Sequence, residues 1–479
     1  MLKVAAVYVI LILHFMDMSV ANIALVPIAL DLGIEAYRSQ WIIVAFGIGI
    51  VAAIPAVPPL VRWMGGRAAF SAVLATSLGA LLLCGSTNNF WLLLVGRLLQ
   101  GLASGAVLLL AQKQLLSLMK ESGAALAMSL WISALAIAPV VGPLAGAIVV
   151  DAVGWHWIFL GQVPILLLCA FVIRGELGVT PQREGSPPSA LLVLALLGVL
   201  LFGQLALEAF LDKAQDAGAA RWAYLGAAAA SLAVLRWHTR VRVAPLFDWG
   251  LLRNGPYAAY LFLNTMQGSL LVMTAVIYTL WMQLQLQLPL PQVALILSST
   301  GVIAGVLAPL IGKYATARQQ PVLVLAGVFL FIASMLLTAR LTLASHGLEL
   351  VLPRVVCGLA LALLAPGSYL MIATLPEPRQ LEANSLALFS RLIGINVLLI
   401  AGVAIARQLA EAATEHAGAA GLAARGAQAL QAWSATQGMQ QTMALSAALM
   451  SLTLIGLALV WRSGRQAGAV AVAGTTPPR

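Results

Sequence analysis

Residues 91–112 read WLLLVGRLLQGLASGAVLLLAQ, a stretch with one charge, Arg97, in its interior. A helix needs roughly 20 apolar residues to cross a ~30 Å hydrocarbon core at ~1.5 Å per residue, and it satisfies its own backbone polar groups where water is absent. This stretch has that length. Its centre, Arg97-Leu-Leu-Gln-Gly101-Leu-Ala103, returns 257 residues later as Arg354-Val-Val-Cys-Gly358-Leu-Ala360, inside a second apolar run at 350–375. Looser echoes sit at Pro59-Leu60 with Arg67 and at Pro309-Leu310 with Arg318. One pattern, R-x-x-x-G-L-A, set into equivalent apolar runs predicts a chain made of two similar halves.

The rest of the chain has the same character. Of its 479 residues 62% are hydrophobic and 9% are charged, against about 25% charged in a soluble domain. There is too little polar surface to solvate a particle of this size, which excludes a soluble globular protein, and the apolar content excludes disorder. A transmembrane barrel would show alternating segments of ~10 residues. Fourteen long apolar runs occur instead, at 4–28, 40–60, 68–86, 91–112, 126–149, 157–175, 189–208, 221–236, 257–283, 291–311, 321–339, 350–375, 383–406 and 441–461. The reading is an all-α integral membrane protein with fourteen transmembrane helices. Two six-helix bundles take spans one to six and nine to fourteen, and spans seven and eight are inserted between them. Two such halves facing each other across a midplane cavity are a transporter architecture.

An even number of spans puts both termini on one side. With the N-terminus cytoplasmic, seventeen of the 26 Lys and Arg fall on the cytoplasmic side and six on the other, and Arg97, Arg354 and Arg391 lie inside spans. That bias is the positive-inside signal. It accounts for the net charge of +10 without nucleic acid as a partner, and it places both termini in the cytoplasm. Only Lys3 precedes the first run, which reads as an uncleaved span rather than a signal peptide. The expected domains are 1–177, an N-terminal six-helix bundle; 178–253, linkers with the two inserted helices; 254–465, a C-terminal six-helix bundle; and 466–479, a short tail. The Ala/Gln/Gly-rich outer segment 407–440 reads equally as an amphipathic helix or a linker.

Asp17 is the sharpest chemical signal. A carboxylate in the middle of a span costs roughly 2.5–3.5 kcal/mol on insertion scales and marks function by default. Arg97 lies at matching depth in the same half, so the two are expected to pair, directly or through water. A carboxylate so placed can load a proton from one compartment and release it to the other. Within span five, Pro139, Gly142, Pro143 and Gly146 form a small-residue seam with helix-bending prolines, suited to a pliable hinge or to plain static packing. In span nine Met266, Gln267, Tyr278 and Trp281 suit soft, hydrophobic ligands or a core. Arg354 and Arg391 have no acid at their depth, and spans nine to twelve contain none in their interiors. Glu208 reads as an interface residue. Three isolated cysteines and five scattered histidines give neither a metal site nor an enzyme's converging groups, and no nucleotide loop occurs. No cofactor is expected.

Taken in order, these residues resemble the fourteen-span drug:proton antiporters of the major facilitator superfamily, the EmrB/QacA type. Asp17-Met-Ser-Val-Ala-Asn22-Ile-Ala-Leu resembles their first-helix motif, Arg97…Gln100-Gly101…Gly105 the fourth-helix motif, and Pro139…Gly142-Pro143…Gly146 the antiporter motif. Trp155-His-Trp157-Ile-Phe159…Val163-Pro164 matches the opening of the sixth helix; Trp41 and Arg391-Leu-Ile-Gly394 also fit. The resemblance implies an inner-membrane, proton-coupled exporter of amphiphilic small molecules, with Asn22 and Gln100 as further substrate-binding candidates and a periplasmic adaptor as a possible partner. An exporter or symporter of one endogenous metabolite or siderophore is the alternative within the same fold. The gate loop departs from the pattern: Pro58-Pro-Leu60-Val-Arg62-Trp-Met-Gly65-Gly-Arg67 has proline for the usual glycine and Arg62 for the usual aspartate. Because the interiors of spans nine to twelve hold no acid to serve as a second counter-charge, monovalent, neutral or anionic amphiphiles are expected over dications.

Overall fold

A computed structural model of the chain describes residues 2–119, 124–174, 189–211, 218–241, 249–316, 319–373, 375, 377–419 and 427–473. The first half runs α1 (Leu2–Asp31), α2 (Gln40–Ala53), α3 (Val57–Met64), α4 (Gly66–Ser86), α5 (Phe90–Leu118), α6 (Ala124–Val153), α7 (Trp157–Leu160) and α8 (Gln162–Ile173). A hairpin of α9 (Ala190–Leu211) and α10 (Gly218–Val241) follows. The second half contains α11 (Gly255–Leu284), α12 (Leu290–Tyr314), α13 (Gln320–Thr338), α14 (Leu348–Ala373), α15 (Glu377–Ala419) and α16 (Ala427–Ala473). Every expected span coincides with a helix, the second and sixth being assembled from α2–α3 and α7–α8. Eleven of the described helices are long and apolar enough to cross a membrane, and Val140–Val153 and Trp157–Ile173 are shorter apolar segments. The expected eighth span, α10, is not among them: its apolar stretch is Ala-rich and lies between Arg221 and Arg236. Outward-facing Trp91, Leu168, Phe171, Leu194 and Trp222 are more than half exposed, as lipid-facing side chains are.

Two parts of the reading change with the structure, and one open alternative is decided. The segment after the second span is not all loop: α3 runs past Leu60 for about one further turn, to Met64, before Gly65, whose φ of 81° only glycine adopts freely. Of the two readings of 407–440, helix or linker, the helix holds for most of it: α15 runs on to Ala419 and α16 starts at Ala427, while residues 420–426 lie outside the described set. The expected tail continues as helix to Ala473. Apolar runs mark where lipid begins and ends, and a helix stops only where its backbone is capped or broken.

Within the first half α1 packs on α6, and α2 and α4 pack on α5; within the second, α11 packs on α15, and α12 and α13 pack on α14. These pairings are equivalent under the sequence repeat. Gly101 of α5 lies against the Phe46 carbonyl and Gly49 of α2, so a Cβ there would collide with backbone. Gly358 of α14 meets Thr300 and Ile303 of α12 in the same way. The hairpin α9–α10 stands outside both bundles, touching α2 and α15 through α9. Glu208 of α9 accepts a 2.9 Å hydrogen bond from Trp41 Nε1, the interface role expected of it.

The halves meet through α1 with α11, α2 with α15 and α6 with α12. Asn22 Nδ2 donates to Thr279 Oγ1 at 3.3 Å, Gln283 Nε2 to the Ile23 carbonyl at 3.1 Å, and Ser298 Oγ to the Val140 carbonyl at 3.0 Å. All three bonds lie toward the end of the molecule at which α1 finishes, here the far face; the end at which α1 begins is the near face. Asn22 and Thr279 are 257 residues apart, the offset of the R-x-x-x-G-L-A repeat. Equivalent positions of two related halves touch each other only beside the axis that relates them, so this contact marks the pseudo-twofold axis.

Candidate functional site

α1 presents Asp17 inward, to the interior of the first bundle. Asp17, Arg97, Gln100 and Gln162 are 4%, 0%, 1% and 7% exposed, so each polar atom needs a protein partner. The acid and the base are not joined directly. Arg97 Nη1 donates to Gln100 Oε1 at 2.8 Å, and Gln100 Nε2 donates to Asp17 Oδ2 at 2.8 Å. The amide one turn along α5 therefore separates the two charges, in place of the direct or water-mediated pair expected. Gln162, which opens α8, donates through Nε2 to Asp17 Oδ1 at 2.8 Å and to the Ile158 carbonyl at 2.8 Å.

Arg97 is held by three further contacts. Its Nε donates to the Ile42 carbonyl of α2 at 3.1 Å, and its guanidinium lies 4.3 Å from the Phe46 ring centroid and 5.7 Å from that of Phe159. Its Nη2 has no hydrogen-bond partner among the described residues. One turn before Asp17, His14 is buried too. Its Nδ1 lies 2.7 Å from the Ile10 carbonyl and donates to it; Nε2 is 3.0 Å from Ser77 Oγ of α4. Among the described residues Arg97, His14 and Cys84 are titratable groups that interact with Asp17 through space. Sequence reasoning missed His14 and Gln162. His14 was legible as a polar residue three before the acid, on the same helix; Gln162 is a lone amide 145 residues away that no spacing connects to Asp17.

Gly142 and Gly146, expected as part of a hinge or a static seam, bring α6 close to the helix that carries the acid. Gly142 of α6 lies against Met16 and Ser19, and Gly146 against Val20, so α6 approaches α1 on both sides of the Asp17 turn. Pro143 is buried, and α6 continues unbroken through it; the side chain of Pro139 lies outside the described set. At the near face Arg62 and Arg67 are exposed, Gly65 is buried at the turn, and Arg67 Nη2 donates to the Arg174 carbonyl at 3.0 Å.

The substrate-binding candidates are dispersed. Gln100 belongs to the Asp17 cluster and Asn22 to the far-face seam. Met266 and Gln267 are half-buried on α11. Tyr278 and Trp281 turn into the second bundle: Tyr278 Oη donates to the Leu350 carbonyl at 2.9 Å and Trp281 Nε1 to Thr436 Oγ1 at 3.0 Å. Those are core positions rather than cavity lining.

The repeat gives the site a counterpart. An offset of 257 carries Asp17 to Thr274, Arg97 to Arg354 and Gln100 to Cys357. Arg354 Nη2 donates to the Thr274 carbonyl at 3.1 Å, and its guanidinium lies 4.7 Å from the Tyr278 centroid. The second half thus keeps the arginine and lacks the acid.

A sequence profile described as Major Facilitator Superfamily matches residues 7–316. "Probable multidrug resistance protein EmrY" of Escherichia coli (strain K12) is 30% identical over 43% of this chain, a match that takes in 39% of EmrY. "Multidrug export protein EmrB" of Haemophilus influenzae is 25% identical over 80% of this chain and 76% of its own. Among solved structures, that of the POT family transporter PepTSo aligns over 95% of this chain and 98% of its own with a TM-score of 0.62 at 13% identity, which shows the fold alone.

Proposed function

Because the chain belongs to the Major Facilitator Superfamily, we propose that it is a proton-coupled antiporter that exports hydrophobic and amphiphilic small molecules by alternating access. The names of the multidrug relatives support the substrate class. The observation that carries the proton is Asp17. It is buried at mid-helix and held by two neutral amides, with its guanidinium one amide away. A directly paired carboxylate is tied to its cation; one bonded through amides can gain and lose a proton while the cation stays where Ile42, Phe46 and Phe159 hold it.

The far-face contacts between bundles describe a conformer shut on that side. With the termini cytoplasmic in an inner membrane, it is the inward-facing half of the cycle. Substrate enters between the bundles from the near face and Asp17 releases its proton there. Reprotonation from the opposite bath accompanies substrate release. A proton returning inward supplies about 2.3 kcal/mol per 100 mV of membrane potential. Residues 1–177 and 254–465 act as the moving bundles, 178–253 as linkers and inserted hairpin, and 466–479 as the tail. If a periplasmic adaptor docks, the helical extensions of α15 and α16 at the far face are the surface it meets.

The test is proton release from purified protein in weakly buffered detergent on addition of neutral and monovalent amphiphilic dyes. Wild type acidifies the medium; Asp17→Asn still binds dye but releases no proton. Undiminished release from Asp17→Asn contradicts the proposal.

A further inference from the structure

Arg391 has no place in the proton cluster, and its surroundings give it no other occupation. It lies on α15 just inside the apolar segment Leu386–Glu415. Its side chain runs across Gly268 of α11, where a Cβ would collide with Cγ, Cδ and Nε of the arginine. One helical turn further along α15, Gly394 lets Ser269 and Thr265 approach equally closely. The arginine is therefore seated in a groove that small residues cut between α11 and α15.

That groove lies on the side of α11 that meets the first bundle further along the helix. Gly268 and Thr279 are eleven residues apart on α11, which at 3.6 residues per turn returns to within about 20° of the same face, about 16 Å along the axis. Thr279 is the residue that meets Asn22 of α1. Arg391 thus lies against the stripe of α11 that carries this contact with the other bundle, on the near-face side of it.

Its charge is not neutralised. Among the described residues the Arg391 guanidinium makes no hydrogen bond or ion pair, unlike Arg354, which bonds the Thr274 carbonyl and stacks on Tyr278. Arg391 is half-buried, and none of its nitrogens is both sealed from solvent and unpaired, as Arg97 Nη2 and Arg354 Nε are. Between Gly255 and Ala373 the sequence has one acid, Glu349, exposed at the start of α14. A cation without a counter-ion at this depth is costly and marks a ligand or ion pathway. A guanidinium presents a planar fork of donors that matches a carboxylate in bidentate fashion.

We propose that Arg391 is the headgroup site for an amphiphilic carboxylate bound between the two bundles, its apolar body lying along the stripe of α11 toward Val272 and Ala275. The proposal rests on the transport reading above, since it supplies that reading's substrate class, but it is tested by binding alone. A dansyl-tagged undecanoic acid and its methyl ester are titrated into full-length protein in lipid nanodiscs, with energy transfer from tryptophan to dansyl as the signal. Wild type binds the acid about tenfold or more tighter than the ester, a difference of about 1.4 kcal/mol. Arg391→Gln brings the acid down to the ester's affinity and leaves the ester unchanged, which shows that the variant is folded; Arg391→Lys keeps part of the preference. Equal binding of acid and ester to wild type, absence of binding included, overturns the proposal. So does an unchanged preference in Arg391→Gln. If the preference holds while neither probe evokes proton release, the carboxylate site stands and proton coupling is what fails.

Discussion

At the scale of single residues, the molecule turns on how one carboxylate is bonded. Asp17 and Arg97 were legible in the sequence because a charge amid apolar residues has few innocent explanations. The amides that connect and support them were less so. Gln100 follows Arg97 by three residues, yet spacing alone does not say that its carbonyl faces the arginine and its amino group the acid. Gln162 and Ser77 reach the cluster across the fold from α8 and α4. A buried donor or acceptor left unmade costs about 1–3 kcal/mol. Gln100→Leu strands one atom on each side, so thermal unfolding in detergent should show a clear fall in Tm. In the Asp17→Asn background the same substitution should cost less, with a coupling of about 0.5–3 kcal/mol. Additive losses would mean that Gln100 does not connect the pair.

At the scale of elements, close helix approach depends on where a glycine points. Gly101 faces the backbone of α2, whereas nothing lies within 4 Å of a Cβ built at Gly79 of α4. The same change to alanine should therefore have opposite signs. Gly79→Ala should raise stability by about 0.5–1 kcal/mol through helix propensity. Gly101→Ala should lower it by about 1–3 kcal/mol through overpacking, and Gly358→Ala should behave likewise. Comparable Tm values for Gly79→Ala and Gly101→Ala would show that the α2–α5 approach is not what the structure describes. Helix count and order were legible from apolar runs, since the bilayer sets a minimum length. Helix ends were not: α15, α16 and α3 continue past the apolar boundaries, where water-facing helix carries no hydropathy signal. Nor did residue type reveal that Tyr278 and Trp281 face the bundle core, because aromatic rings suit cavities and cores alike.

At the scale of the whole molecule, the repeat offset of 257 reappears as a contact, Asn22 with Thr279 beside the pseudo-twofold axis. The sequence showed that two halves exist; the conformer could not be read from it, because which face is shut depends on packing between halves that the same sequence must both make and release. If the far face opens in each cycle, the double variant Asn22→Cys/Thr279→Cys should stop transport when oxidised and recover it on reduction, with either single variant unaffected. Full transport while the cross-link is in place would mean that this seam does not move. If Asp17 carries the proton that drives export, uphill accumulation of a neutral dye in proteoliposomes under an imposed pH gradient should depend on it. Wild type should accumulate dye until a protonophore is added, and Asp17→Asn should accumulate none even though it binds the dye. Protonophore-sensitive accumulation by Asp17→Asn at the wild-type level would show that the proton travels elsewhere.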